Sequence, residues 1–143
     1  MTLAIPDSHR DLLEKPVHAT LTTLMPDGQP QCSIVWADYD GEYVLINTTL
    51  ERQKGQNMRA NPHVGLLLID PANGNRWIEI RGTVVEMTSS GASEHADKLT
   101  QRYSTSGKRR FYGDVYPVEQ QSKETRVIVK IRPVKITLDA VFK

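Results

Sequence analysis

Along most of the chain, apolar residues come in short runs rich in β-branched side chains, separated by turn residues, which is the pattern of successive strands. A short helix is expected first, with Asp7 or Ser8 as its cap, Leu12 and Leu13 on its apolar side, and Pro16 ending it. Residues 17–24 then read as a strand, Pro26-Asp27-Gly28 as a tight turn, and 29–37 as the returning strand. Asp40-Gly41 makes a second turn before a third strand over 42–47, giving an antiparallel meander.

Beyond residue 47 the period lengthens. Thr48 stands three residues before Glu51, the spacing of a capping box, and predicts a helix over 49–60 closed by Asn61-Pro62. The nearly continuous apolar run 64–69 predicts a strand buried on both faces. Residues 71–75 read as a loop and 76–87 as a long strand, with Gly82 marking a bulge or a barrel corner. A helix over 93–103 carries Ala96, Leu99 and Tyr103 on one side. The polar stretch 104–122, with Phe111, Tyr112 and Tyr116, reads as a loop long enough to cover a site or a partner surface. Two strands, 125–131 and 134–141, flank Pro133. Six or seven antiparallel strands with two or three short helices predict a mainly β domain, a closed or partly closed barrel occupying residues 1–143.

Composition narrows the function classes. A net charge of +1 gives no global attraction for nucleic acid or an anionic membrane. No run approaches the ~20 apolar residues of a membrane-spanning helix, and the first fifteen residues do not read as a secretory signal, so a cytoplasmic protein is expected. The single cysteine, Cys32, precludes an intramolecular disulfide and is expected to be a buried, inert thiol. The four histidines lie at no metal-ligand spacing, so no metal site is expected. No catalytic triad or carboxylate pair is visible.

The segment from Asn47 to Pro62 concentrates the candidate chemistry. A strand there delivers its end to a helix N-terminus, where unpaired amides and the helix dipole favour an anion. Thr48 and Thr49 add hydroxyls, Arg52 a group able to grip phosphate with two bonds, and Lys54 a point charge. The same residues also suit a solvated basic face, because positions two apart point to different sides of a regular helix. Spacing alone leaves both readings open.

The order of these elements is similar to that of the pyridoxamine-phosphate-oxidase-like superfamily. It is closer still to the branch that uses the deazaflavin coenzyme F420. The resemblance runs through Thr22-Thr23-Leu24, Asp27-Gly28-Gln29-Pro30, Ser33-Ile34-Val35-Trp36, Arg52-Gln53-Lys54-Gly55-Gln56-Asn57, Arg81-Gly82 and the segment 125–135. It implies a split β-barrel working as a homodimer, with two cofactor grooves across the interface. It further implies that Ser33, Val35 and Trp36 border the tricyclic ring, that Asn47, Thr48 and Thr49 lie beside the sugar-like chain and phosphate, and that Arg52, Lys54 and Asn57 belong to the same site. Trp77 and Arg81 would come from the other subunit. Core burial is the competing role for Trp36 and Trp77. FMN-using relatives carry an additional Arg on the strand before this segment and a Ser/Thr-Arg-Lys run. Here residues 42–47 hold no Arg and the run is Glu51-Arg52-Gln53-Lys54, a form resembling the deazaflavin branch.

The resemblance therefore implies hydride transfer between reduced F420 and a small organic acceptor. The alternatives are an FMN-binding oxidase or reductase on the same barrel, and a non-catalytic cofactor binder. Arg59 or the Lys108-Arg109-Arg110 cluster would meet the coenzyme's polyglutamate tail, against the plainer role of a solvated loop. Tyr112, Tyr116 and an Arg are the candidate proton donors, and residues 104–122 the candidate substrate lid.

Overall fold

In the computed structural model, which describes residues 2–139, six strands close into one antiparallel barrel. A 3-10 turn (Asp7–His9) and a one-turn helix, α1 (Asp11–Glu14), precede β1 (His18–Leu24), β2 (Pro30–Tyr39) and β3 (Val44–Thr49). Then follow α2 (Gln53–Ala60), β4 (His63–Asp70), β5 (Asn73–Thr88), α3 (Ala92–Tyr103) and β6 (Arg126–Leu138). Around the barrel the order is β1-β2-β3-β6-β5-β4, with β4 returning to β1. β2 pairs with β1 over residues 30–36 but with β3 only at Ala37–Tyr39, so the barrel is open along the first part of β2.

The meander is where the turn residues put it. Gly28 (φ +88°) and Gly41 (φ +97°) adopt the left-handed conformation that both turns demand. Ala19 and Leu21 of β1, Val35 and Ala37 of β2, and Val44 and Ile46 of β3 point inward. Leu66, Leu68, Ile78, Ile80, Val129 and Ile131 fill the barrel from its other half, and Leu12 and Leu13 of α1 join the same core.

The structure departs from expectation in four places. The cap foreseen at Asp7 or Ser8 is absent: Pro6 stands before the 3-10 turn and no side chain caps it. Neither half of the capping box forms, because Thr48 and Thr49 remain in β3. Glu51 instead accepts a bond from the Thr125 N–H at 2.6 Å, tying the entry of α2 to the approach to β6. The last two strands are one, since Pro133 lies opposite Gly82 at a β-bulge that absorbs its missing donor. A Cβ at Gly82 would come within 2.8 Å of the Arg132 carbonyl oxygen, so this close crossing requires glycine. Residues 140–141 of the expected last strand lie outside the described residues. Most tellingly, β4 is covered on one face only: Val64, Leu66 and Leu68 are buried, while Ile69 is 47% exposed.

Cys32 is also not buried. It projects from the outer face of β2, next to Thr22 Oγ1 at 3.3 Å, because inward positions on this strand fall to its neighbours Gln31 and Ser33.

Candidate functional site

A groove with about 180 Å³ of space opens on the outside of the barrel, between the sheet and the segment that follows α3. Ile34, Val35 and Trp36 of β2 and Asn47 and Thr48 of β3 form its floor; Arg52, Lys54 and Arg126 supply charge. Ala96 and Leu99 of α3 and Phe111, Val115 and Tyr116 of the following segment close the other side.

One part of the lining is aromatic. Trp36 stacks on Tyr103 (centroids 5.2 Å apart, planes at 13°) and meets Phe111 edge-on at 6.3 Å. Tyr103 is itself fixed, its hydroxyl donating to the Val17 carbonyl at 2.8 Å and accepting the Ala37 N–H at 3.0 Å. Trp36 thus has one face against Tyr103 while its side chain lines the groove. Tyr116 extends the wall, 5.1 Å from Phe111.

The other part is cationic and hydroxylic. Arg52 is the N-cap of α2 and has extended backbone (φ −72°, ψ 153°), so the two-apart spacing with Lys54 is not a helical spacing and both residues reach the groove. Thr49 Oγ1 accepts the Arg52 N–H at 3.3 Å, which sets the turn from β3 into α2. Burial, with the nearby Arg52 charge, holds the Lys54 ammonium below its ordinary range. Neither cation has a carboxylate partner within salt-bridge distance among the described residues, and Arg52 lies 5.3 Å over the Tyr116 ring. Thr48, only 3% exposed, leaves its buried hydroxyl without a hydrogen-bond partner in this lining. Two like charges, a hydroxyl without a partner among the described residues and the first-turn amides of α2 form a cradle suited to an anion. The donor set fits a phosphate, and the adjoining aromatic wall fits a flat ring.

Of the residues expected in the site, the structure gathers Val35, Trp36, Asn47, Thr48, Arg52 and Lys54 around the groove. It does not bring the rest there. Thr49 is fully buried beneath the turn. Ser33 lies beyond the groove, paired with Leu21. Asn57 faces the opposite side of α2, where its amide donates to Thr23 Oγ1 (3.1 Å) and Gln31 Oε1 (3.3 Å) and fastens the helix to β1 and β2. It lines a separate hollow with Leu24, Met25 and Gln53. Trp77 and Arg81 sit on β5, three strands round the barrel from β2, with Arg81 against Glu79 at 3.3 Å.

Sequence reasoning missed Ile34, Ala96, Leu99, Val115 and above all Arg126 as groove residues. The expected loop 104–122 proves to be folded over the site, with an irregular turn at Phe111–Val115 and a 3-10 turn at Val118–Lys123. Gly113 (φ +116°) makes the first turn, and Asp114 ties it by accepting the Arg109 and Arg110 N–H groups at 3.0 and 2.9 Å. The Lys108-Arg109-Arg110 side chains themselves are exposed.

The sequence and the fold are both similar to those of known proteins. Residues 5–138 match the family described as pyridoxamine 5'-phosphate oxidase. The structure of an F420 reductase superimposes with a TM-score of 0.76 at 33% identity, covering 93% of this chain and 98% of that one. A putative pyridoxamine 5'-phosphate oxidase from Listeria innocua aligns at 23% identity (TM-score 0.67; 92% and 95% covered), sharing the fold. So does a heme storage protein, HutZ, from Vibrio cholerae at 13% identity (TM-score 0.64; 96% of each chain). No curated protein sequence matches the chain.

Proposed function

The chain belongs to the pyridoxamine 5'-phosphate oxidase family, and on that premise we propose that it is an oxidoreductase binding the deazaflavin coenzyme F420 in the groove and acting on a small organic acceptor. The carrying observation is the pairing of a carboxylate-free cationic cradle (Thr48, Arg52, Lys54) with an aromatic wall (Trp36, Phe111) in one cleft. The 33% identity to an F420 reductase supports the deazaflavin over the flavin. When bound, the reduced coenzyme supplies a hydride to an acceptor lying over its ring.

The protein's share is positioning and water exclusion. Arg52 and Lys54 hold the phosphate, with Thr48 donating its hydroxyl to it. Trp36, held by Tyr103, and Phe111 set the plane of the ring, and Tyr116 with Val115 shield it from solvent.

The working unit is a homodimer. Leu67 and Ile69 on β4, Ile34 on β2 and Trp77 on β5 share the outer face of the sheet, where Ile34 and Ile69 are exposed and Leu67 and Trp77 half-buried among the described residues. Ile34, 61% exposed, belongs both to this face and to the groove, so a second copy seated on the face would also wall the groove. In that arrangement Trp77 of the partner subunit and Arg81 of the partner subunit are the groove's missing contributors. Among the described residues no helix is long and apolar enough to cross a membrane.

Titration of wild type and the Arg52→Ala/Lys54→Ala double variant with F420 and with FMN, followed by fluorescence, tests the reading. Two charge-assisted contacts of about 1.5–3 kcal/mol each predict at least a ~100-fold loss of F420 affinity in the variant. Preference for FMN moves the protein to the flavin-using side of the family. Binding of neither by wild type sinks the proposal.

A further inference from the structure

Arg126 lines the groove yet has no part in the reading above. It opens β6, opposite Thr49, and is 8% exposed. Its Nε–H donates to the Tyr112 hydroxyl (2.9 Å), its Nη1 to Asn47 Oδ1 (2.8 Å) and its Nη2 to Glu124 Oε1 (3.1 Å). The Phe111 ring lies 4.1 Å from the guanidinium carbon and the Tyr112 ring 5.3 Å. Those bonds use three of the five N–H donors of an arginine. The other two have no partner among the described residues.

The residues that hold this guanidinium are themselves fixed in sequence. Burial works to raise the Asp38 carboxyl, but bonds from His95 and Lys98 and the charge of Arg102 outweigh it and keep Asp38 an anion. The Asn47 NH2 group, placed by the Ala92 carbonyl, turns its other N–H to His95 Nδ1, so that nitrogen accepts and Nε2 carries the hydrogen donated to Asp38 Oδ2 at 3.1 Å. Asn47 donates to Nδ1 at 3.1 Å and to the Ala92 carbonyl at 2.9 Å. Its amide orientation is then settled, with Oδ1 turned towards Arg126; the flipped amide would set an NH2 group against a guanidinium. On the other flank, bonds from Tyr112, Gln120 and Arg126 overcome burial and hold the Glu124 carboxyl below its usual range.

Pairing a buried arginine needs only Glu124. Four further residues from β2, β3, α3 and the turn after it fix the angle of a side chain that ends in the groove, and such control of direction serves a ligand. We propose that Arg126 is a ligand-anchoring residue that donates to an accepting oxygen of the groove's occupant, and that Asn47, His95 and Asp38 are positioning residues that aim it. The inference rests on the reading that the groove takes a flavin-like cofactor. The accepting oxygen belongs either to the phosphate, shared with Arg52 and Lys54, or to a ring carbonyl.

Fluorescence titrations with FMN, riboflavin and F420 on wild type, Arg126→Gln, His95→Leu and His95→Gln decide the matter, with each variant's fold checked by circular dichroism. Arg126→Gln is expected to weaken FMN and F420 by ~10-fold or more, the worth of a charged hydrogen bond. An equal loss for riboflavin assigns the oxygen to the ring, and an unchanged riboflavin assigns it to the phosphate; both support the proposal. His95→Leu should lose affinity in the same direction, and His95→Gln, which restores one donor and one acceptor, should recover it, a rescue that a purely structural role would not track. Wild-type affinity for all three ligands in Arg126→Gln, or in a folded His95→Leu, overturns the proposal. If His95→Leu does not fold, the Nε–H resonance of Arg126 in arginine-labelled wild type, assigned by its absence in Arg126→Lys, replaces it; a signal unmoved by saturating F420, or by FMN where that is the ligand wild type binds, overturns the proposal. Wild type that binds none of the three ligands defeats the reading of the groove and this inference together, whereas the other outcomes leave that reading intact.

Discussion

Asp38 is 2% exposed and meets His95 at 3.1 Å, Lys98 at 3.0 Å and Arg102 at 3.0 Å. Its carboxyl is held well below the usual carboxylate range, so the unfolded chain takes up this proton before the folded chain does. The resulting stability is fully present above the ordinary carboxylate value and is lost as pH falls through that value towards the depressed one. Removing one partner of a buried ion pair costs about 3 kcal/mol. Asp38→Asn is therefore expected to be less stable by about that amount at pH 7 and to show a flatter dependence below roughly pH 5 than wild type. Urea denaturation at pH 7 and pH 4 checks this; parallel losses in both proteins would contradict it. Asp38 carries no signal along the chain, because its partners lie 57 to 64 residues away. Arg52 and Lys54, by contrast, were legible as a pair from residue type, and only their geometry was not. The objection that they diverge on a helix fails because Arg52 is extended.

Elements built on local signals came through the sequence well. Both Asp-Gly turns, the bulge at Gly82 and the buried side of α3 follow from backbone preference and periodicity within a few residues. Elements that depend on a distant partner did not: the Thr48–Glu51 spacing reads as a capping box only until Glu51 finds the Thr125 amide, 74 residues on. The segment after α3 is the other instance. Its polar composition hides an anchored cover in which the Phe111 N–H donates to Asp97 Oδ1 at 2.8 Å and Gln121 reaches Ser93 at 3.3 Å. Because Phe111, Val115 and Tyr116 face the groove from this segment alone, shortening its tip at residues 105–109 should disturb the space for an acceptor while leaving the Arg52/Lys54 cradle in place. The expected outcome in a screen of acceptors is a severalfold or larger change in KM, greater than the accompanying change in F420 affinity. An unchanged acceptor profile would remove the substrate-lid role and leave the segment as a fixed wall.

At the scale of the molecule, the apolar run in β4 poses the question that one chain does not answer. Its sequence asks for cover on both faces, yet only the barrel side receives it. Ile69 at 47% exposure and Ile34 at 61% stand on the outer surface, with Leu67 half-buried beside them and Cys32 in the same strand as Ile34. Contiguous exposed apolar surface on a soluble domain marks an interaction site. A stable self-association needs roughly 800 Å² from each partner, and β2, β1, β4 and β5 lie side by side as one continuous outer surface. Sedimentation is expected to report twice the 16.1 kDa chain mass. Leu67→Arg/Ile69→Arg puts two cations into the middle of that face without touching the groove, so it should yield a folded monomer. If Trp77 and Arg81 of the partner subunit complete the groove, the monomer also binds F420 more weakly, by ~10-fold for the loss of one aromatic and one charged contact. A monomer with full affinity would keep the cradle but strip the partner of any share in the site, and a wild type already monomeric would leave the outer face of β4 to some other cover.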